Sequence, residues 1–458
     1  MMERSLGSKN KFHMVSLGCA RNRSDSEVML GALKEDGWSH CQDPESSDAI
    51  VINTCAFIDD AKDESIAKIL EAADIKRSNP DTKVIVTGCL SQRYKSQLKD
   101  GLPEVDLFIG TDEFPRIPNF LKENLPAGSV KAKRTNYLYS GELPKENTLS
   151  SSSAYVKVAE GCQHNCSFCI IPAIRGRLRS RPIDSIVSEV GRLGDQGVKE
   201  INLIAQDLAA YGRDTGEYSL RELLEQLVEV DKISWLRMLY VYPENISDDF
   251  LSLWSTSDKI VPYIDIPVQH AADGILSTMN RDVSADQIRA TIERVRAAVP
   301  NVAIRTSVMV GFPGETDNDF RDLMRFVRAV EFDHLGCFTY SKEQGTVAGR
   351  MSNQIAKDVM LERQSELMAL QQGISQRKLR SYIGSRQKVL VKGLSDETDL
   401  LYEGRLATQA PEVDGLVYIN DGPALPGQIQ EVLITETHEY DLVGEVVVKS
   451  ESCDGHFS

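Results

Sequence analysis

Three cysteines stand within eight residues of this chain: Cys162, Cys166 and Cys169, in the run Gly-Cys-Gln-His-Asn-Cys-Ser-Phe-Cys. Thiolates this close can all ligate one iron–sulfur cluster, cysteine sulfur being the usual ligand there. Three thiolates leave one iron of a four-iron cluster without a protein ligand, an open position like that of a three-ligand catalytic zinc. A small molecule can bind at such a position. A structural zinc is the competing reading. It needs a fourth nearby Cys or His, and only His164, wedged between two of the thiols, offers one. The spacing also differs from the common zinc spacings.

A second set of thiols recurs at one place in a repeating pattern. Short apolar runs at residues 13–17, 48–53, 83–87 and 105–109 alternate with helical stretches at 24–35, 59–77, from about 91, and after 111. The first helix has a capping-box look, Ser24-Asp25-Ser26-Glu27. Strands alternating with helices predict a parallel sheet covered on both faces. Gly18-Cys19, Thr54-Cys55 and Gly88-Cys89 each lie just past the carboxyl end of a strand, the edge where open parallel sheets bind ligands. The topology can therefore gather Cys19, Cys55 and Cys89 into a second three-thiolate cluster site. The alternative is three unrelated buried thiols, free cysteine being common in cores. Residues 11–126 make up this first domain. Residues 127–153, with Gly, Pro, Lys and Asn and a serine-rich end, read as a solvated linker.

The central stretch, residues 154–377, must position the first cysteine loop. Strand-like runs at 154–159, 200–205, 235–241, 263–266, 303–310 and 334–340 alternate with helices at 182–193, 220–230, 248–255, 285–299 and 320–330. Six repeats predict an open, incomplete parallel barrel with its site at the strand carboxyl ends. A helix over 354–380 follows. Beyond Gly384 the texture changes to short β-rich runs at 387–392, 402–408, 415–419, 428–434 and 440–447 between turns. These predict a small antiparallel barrel of about five strands over residues 380–448. The expected fold class is α/β: a parallel α/β sheet domain, an open six-repeat partial barrel and a small β-barrel.

Composition bounds the rest. The 458 residues suit about three domains, and 41% apolar with 26% charged residues is ordinary globular protein. No apolar run approaches a membrane span and the first eleven residues lack a signal-peptide core, which points to the cytoplasm. Nine cysteines there suggest metal or catalytic thiols rather than disulfides. Cys337, in an apolar strand, reads as core, and Cys41 and Cys453 as polar loop and tail. The net charge of −16 leans towards a basic macromolecule or a small molecule as partner. From Lys378 to Ser458, seven Lys/Arg face fourteen Asp/Glu, the wrong sign for phosphate binding.

Cys162-x3-Cys166-x2-Cys169 after a first barrel strand, with Phe168 between the last two thiols, resembles the radical S-adenosylmethionine superfamily. The resemblance implies that the three cysteines hold a 4Fe–4S cluster and that S-adenosylmethionine chelates its fourth iron. By position it also implies cofactor contacts at Gln206 (beside Asp207, although the common Gly-Glu pattern is absent), Gln269, Arg305 and Gly311, which opens the turn Gly-Phe-Pro-Gly-Glu. Each of these four has a structural alternative, as a turn or a strand cap. The C-terminal module resembles the TRAM module of many RNA-modifying enzymes. From about residue 11 to 447 the chain resembles the methylthiotransferases. The runs at 170–176, 180–182, 265–270 and 410–415 resemble the RimO type rather than the transfer-RNA-modifying MiaB type, in which the residue matching His270 is typically Ser. The resemblance implies two 4Fe–4S clusters, the second on Cys19, Cys55 and Cys89 holding the sulfur to be transferred. It implies a methylthio group placed on the β-carbon of an aspartate of a small-subunit ribosomal protein, and an external electron donor. Ribosomal proteins are basic, so the acidic barrel suits that substrate, and nucleic acid is not expected as the main one. The sister activity on transfer RNA and a non-catalytic iron–sulfur or zinc protein are the alternatives. Whether His270 meets substrate or only packs stays open.

Overall fold

The computed structural model describes residues 10–448, apart from Asn124 and Thr135. Cys453 lies outside them. Strands Lys11–Ser16 (β1), Ser39–His40 (β2), Ala49–Thr54 (β3), Lys83–Gly88 (β4), Leu107–Ile109 (β5) and Ser129–Lys131 (β6) form one parallel sheet in the order β2-β1-β3-β4-β5-β6. Alternation decides what covers each face. Ala49, Val51 and Ile85 pack against Val28, Met29 and Leu33 of helix Ala20–Glu35 (α1). Ile50, Ile52, Val84 and Val86 pack against Ile69 and Ala72 of helix Asp59–Ser78 (α2) and Leu90 of helix Cys89–Tyr94 (α3).

Two expectations need correction here. The first helix does not start at a capping box near Ser24 but at Cys19, which is its N-cap. Ser24 to Glu27 are buried within it and spend their side chains inward: Ser26 Oγ donates to Ser16 Oγ at 2.8 Å, and Glu27 accepts from the Thr148 amide at 2.9 Å. The stretch 127–153 is not a solvated connector. It contributes β6 to the sheet, buries Ala132 and Tyr139, and anchors Lys145 between Glu27 at 3.3 Å and Glu189 at 3.1 Å. Composition cannot show this, because its polar residues are satisfied by buried partners far away in sequence.

Strands Ser153–Lys157 (β7), Ala159–Glu160 (β8), Arg179–Ser180 (β9), Glu200–Ile204 (β10), Trp235–Met238 (β11), Ile260–Asp265 (β12), Ala303–Val310 (β13) and His334–Thr339 (β14) follow. Six of them pair in parallel in the order β7-β10-β11-β12-β13-β14, as the six repeats predicted. The β8–β9 ribbon is antiparallel and closes the base of the cysteine loop. The intervening helices bury leucine, isoleucine and phenylalanine against the sheet in one continuous core. Helix Lys357–Arg380 packs along β14. No helix among the described residues is long and apolar enough to cross a membrane.

Strands Arg386–Leu394 (β15), Tyr402–Leu406 (β16), Val417–Asp421 (β17), Ile429–Thr437 (β18) and Leu442–Val446 (β19) close into a barrel. Four of its pairings are antiparallel and the β17–β19 pairing is parallel, so the barrel is not antiparallel throughout. It plugs the amino-terminal mouth of the central barrel. Leu390 and Ala410 join Tyr155, Trp235, Val261 and Tyr263 in one apolar cluster. Glu200, fully buried, pairs with Arg237 at 2.8 Å and with Arg405 from the small barrel. Burial pushes the Glu200 carboxyl up, but the two guanidiniums outweigh it and hold the pKa at about 2. Removing one partner of a buried ion group costs about 3–5 kcal/mol. Glu200→Gln should therefore weaken the docking of the small barrel by that order and lower its urea midpoint accordingly, and adding Arg405→Met should recover part of the loss; intrinsic fluorescence and limited proteolysis across a urea series check both.

Candidate functional site

Each thiol of the first set sits where a parallel strand hands over to a helix. Cys19 caps α1, Cys55 follows β3, and Cys89 opens α3. The three loops press on one another. Gly18 (φ +86°) lies so close to Cys55 that a Cβ there would stand 2.8 Å from the Cys55 Cβ and 3.1 Å from its sulfur. Gly88 (φ +94°) is as tightly set against Thr54. Side chains at these two positions would push the thiols apart, and the left-handed backbone favours glycine at both.

The second set lies across from the first. After β7 the chain turns through Glu160 and Gly161 to Cys162, whose amide donates to the Gly176 carbonyl at 3.1 Å. Ser167 fixes the loop's far side, donating from its amide to the Met279 carbonyl at 2.9 Å and from Oγ to the Thr278 carbonyl at 2.8 Å. Phe168 packs into the cluster of Phe312, Tyr340 and Met360. His164 Nε2 is 2.8 Å from Asp207 Oδ2, and its ring stacks on Tyr242 at 4.2 Å. Among the described residues no three His, Cys, Asp or Glu side chains converge as a single ion would require.

Electrostatics divides the thiols. Burial pushes Cys55 and Cys169 up to about 12 and Cys162 up to about 11. Cys89 is also raised by burial, against the pull of Arg175. Cys19 goes the other way: burial opposes ionisation, but the Arg21 and Arg175 guanidiniums and the Asn22 amide outweigh it. Metal loading displaces the protons of the raised thiols, and Cys19 is the member of the first set most readily ionised. The soft donor set, the open loops and the closely set glycines fit thiolate-bound clusters.

Between the sets runs a buried ion network. Lys157, buried at the carboxyl end of β7, pairs with Asp25 and with Glu160 at 2.7 Å. Arg175 pairs with Asp25 at 3.0 Å and Glu160 at 3.1 Å, and reaches Asn22 Oδ1 at 3.3 Å and the Cys89 sulfur at 3.6 Å. Arg281 lies under Cys166, stacked on Tyr242 at 4.2 Å and donating to the Pro267 carbonyl at 2.9 Å. Sequence reasoning passed over Arg21, Lys157, Glu160, Arg175 and Arg281. The available signals were a lysine inside the run Ala-Tyr-Val-Lys-Val-Ala and charges flanking both ends of the cysteine loop.

The four expected cofactor contacts fare differently. Gln206 is buried beside the cysteine loop; its Nε2 donates to Glu160 Oε1 at 3.1 Å and its Oε1 has no partner. Gln269 bridges to β13 with φ +70°, a left-handed conformation that costs a non-glycine residue about 1–3 kcal/mol and often marks a functional edge. Gly311 (φ +75°) faces Met360, whose Cγ would lie 2.2 Å from an added Cβ, so packing alone explains that glycine. Arg305 is not grouped with the others. It sits lower in the barrel, bound to Asp414 at 2.7 Å and the Val413 carbonyl at 3.1 Å of the small barrel. His270 packs. It is fully buried, its Nδ1 accepts from the Ala272 amide at 3.0 Å, and its Nε2 has no partner. Cys337 is buried core, as expected, and the Cys41 thiol donates to the carbonyls of Phe12 and Asp43.

Three family descriptions match the chain: the uncharacterized protein family UPF0004 over residues 11–110, the radical SAM superfamily over 156–327 and the TRAM domain over 383–447. Curated relatives include the ribosomal protein uS12 methylthiotransferase RimO of Citrifermentans bemidjiense, 45% identical over 96% of this chain and 99% of the relative. That of Syntrophotalea carbinolica is 46% identical over 98% of this chain and 100% of the relative. Among solved structures, the radical S-adenosylmethionine methyltransferase TsrM from Kitasatospora setae, with cobalamin and a 4Fe–4S cluster bound, superposes with a TM-score of 0.55 at 14% identity, covering 75% of this chain and 77% of that one. The cobalamin-dependent radical enzyme OxsB gives 0.52 at 12% identity, covering 79% and 56%. At these identities the likeness establishes the fold alone.

Burial holds the His270 ring neutral, with its pKa lowered to about 4. Glu315 Oε2, at 3.9 Å from Nε2, is too far to hydrogen-bond, and the nearby Arg363 opposes any charge on the ring. A depressed histidine contributes stability that is fully present above its ordinary pKa of about 6.5 and is lost as pH falls through 4, up to about 3 kcal/mol here. His270→Asn, which keeps an acceptor for the Ala272 amide, should flatten the loss of stability between pH 6.5 and 4, as read from urea midpoints across that range.

Proposed function

The chain belongs to the RimO family of radical S-adenosylmethionine methylthiotransferases, and we propose that it places a methylthio group on the β-carbon of an aspartate in small-subunit ribosomal protein uS12. The observation that carries this reading is the proximity of the two cysteine sets, bridged by Arg175, which follows the loop of one and reaches Cys89 of the other. An enzyme that only abstracted hydrogen would need a single set. Relatives named for uS12 methylthiotransfer align over nearly the whole chain, and the acidity of the small barrel suits a basic ribosomal protein better than a nucleic-acid backbone. The sister activity on transfer RNA is not favoured by those relatives.

Cys162, Cys166 and Cys169 would hold one 4Fe–4S cluster, and Cys19, Cys55 and Cys89 the other. When bound with S-adenosylmethionine, these groups supply a hydrogen-abstracting radical and the sulfur to be transferred, which an inert C–H bond requires because it offers no handle to an acid or base. The protein's own part is position and dryness. Gln206, whose buried Oε1 has no hydrogen-bond partner among the described residues, would accept from the amino group of S-adenosylmethionine. Gln269 and the backbone at Gly311 would flank the same molecule. Arg305 acts at one remove, by holding Asp414 and hence the small barrel. Lys157, Glu160 and Arg175 fix the separation of the two cysteine sets. An external electron donor is required, and a ribosomal substrate places the reaction in the cytoplasm.

Mass spectrometry of uS12 from cells with and without this chain tests the assignment. One methylthio group, present only with the chain, is expected. Unmodified uS12 together with loss of a methylthio-adenosine from transfer RNA would replace this reading with the sister one. In reconstituted enzyme, Cys162→Ala should abolish formation of deoxyadenosine, whereas Cys19→Ala should still form it but insert no sulfur.

A further inference from the structure

Four buried arginines have carboxylates of their own, whereas Arg281, sealed under Cys166, has only Glu244 at 3.9 Å and stacks on Tyr242. Arg175 has Asp25 and Glu160, Arg181 has Glu189, Arg237 has Glu200 and Arg363 has Glu315. Arg21 does not. Among the described residues its guanidinium donates to the Ala205 carbonyl at 2.9 Å, lies 4.3 Å over the Tyr240 ring and adjoins the Cys19 thiol, but it pairs with no carboxylate. It is half-buried rather than sealed. A guanidinium carries five N–H donors, so most of its fork remains available. Its platform is rigid: Tyr240 is held at φ +62°, with its amide donating to Asp265 at 3.2 Å.

Its place matters as much as its open valence. Arg21 stands two residues beyond Cys19 at the start of α1 and reaches across to the carbonyl that follows β10 in the other domain. Its charge acts on Cys162 and Cys169 as well as on Cys19. A group that receives a radical's attack from one cysteine set and sulfur from the other must pass beside it.

Resting on the function proposed above, we infer that Arg21 binds the side-chain carboxylate of the target aspartate and thereby holds its β-carbon between the two cysteine sets. An arginine fork grips a carboxylate through two parallel hydrogen bonds and fixes its plane. The β-carbon of aspartate is bonded directly to that carboxylate, so gripping one fixes the other. Asparagine would lose the charge. Glutamate would put its β-carbon one bond further away and present its γ-carbon instead.

The test uses reconstituted full-length enzyme and two short peptides centred on the uS12 aspartate that carries the methylthio group, one with Asp and one with Asn at that place. Peptide affinity is read by fluorescence anisotropy, S-adenosylmethionine affinity by calorimetry, and iron per chain by assay. The wild type should prefer the Asp peptide by about 10- to 100-fold, the worth of a charge-assisted hydrogen-bonded pair. Arg21→Ala should bring that ratio close to one with iron content retained, and Arg21→Lys should keep an intermediate ratio. An unchanged Asp/Asn ratio in Arg21→Ala would overturn the inference while leaving the proposed function standing. So would a loss confined to S-adenosylmethionine affinity, which would assign the guanidinium to that molecule's carboxylate. If Arg21→Ala loses its iron, the ratio in Arg21→Lys decides: an intermediate value supports the inference and the wild-type value overturns it. A wild type that neither binds nor modifies the Asp peptide would overturn the function and the inference together.

Discussion

The buried quartet of Asp25, Lys157, Glu160 and Arg175 is the constraint on which the site depends. Two carboxylates and two cations, all nearly inaccessible, interlock α1 of the first domain with the strand and loop that carry Cys162. Burying four charges is costly, and a well-packed apolar substitute is often as stable or more so. What ion pairs provide in return is register. A slip of one domain on the other would leave a charge unpaired in a medium where that costs several kcal/mol. The quartet holds the two cysteine sets at one separation, and Gln206 extends it to the cofactor edge through Glu160.

A second ionic lock works at the other end of the barrel. Glu200 with Arg237 and Arg405, and Arg305 with Asp414, close the amino-terminal mouth with the small barrel. Tyr263 and His334 also turn towards Asp414, at 2.7 and 3.5 Å. Asp265 lies one layer above, where burial raises its carboxyl to about 6 despite Arg305 nearby. Fixed charges thus close the amino-terminal end of the barrel, while at its carboxyl edge Tyr240 and Gln269 adopt left-handed backbone.

Much of this was legible in the sequence, for definite reasons. Alternating runs announce parallel sheets because both faces are covered, and glycine–cysteine steps at strand ends mark the edge where a parallel sheet meets its ligand. The six-strand barrel and the five-strand module followed from period and turn signals. What was not legible depends on partners remote in sequence. Ser24 to Glu27 look like a helix start, yet Ser26 and Glu27 bond inward to Ser16 and Thr148 and Asp25 pairs with Lys157 and Arg175. Residues 127–153 look solvated, yet Lys145 answers Glu27 and Glu189. Arg305 points by position to the cofactor, but Asp414, more than a hundred residues later, claims it. Local pattern assigns elements well and ion partners poorly, because charge pairing is settled by tertiary proximity.

The charge of the small barrel can now be divided. Asp414, Glu403 and Glu412 are spent inward or sideways, on Arg305, Lys392 and Arg23. Asp396, Glu397, Asp399, Asp421, Glu431, Glu436 and Glu439 remain exposed. Asp414 and Glu412 answer arginines that the neighbouring domains supply and so fasten the module, whereas Glu403 is neutralised within the barrel by Lys392, and all three contribute little to its outer field. The outward acids leave a surface that repels phosphate and attracts cations within about a Debye length, near 8–10 Å at physiological salt. Such an acidic outer surface would draw a basic protein without choosing the residue to be modified. That choice has to be made between the cysteine sets, where the Arg21 guanidinium, half-buried and paired with no carboxylate among the described residues, can distinguish one side chain from another.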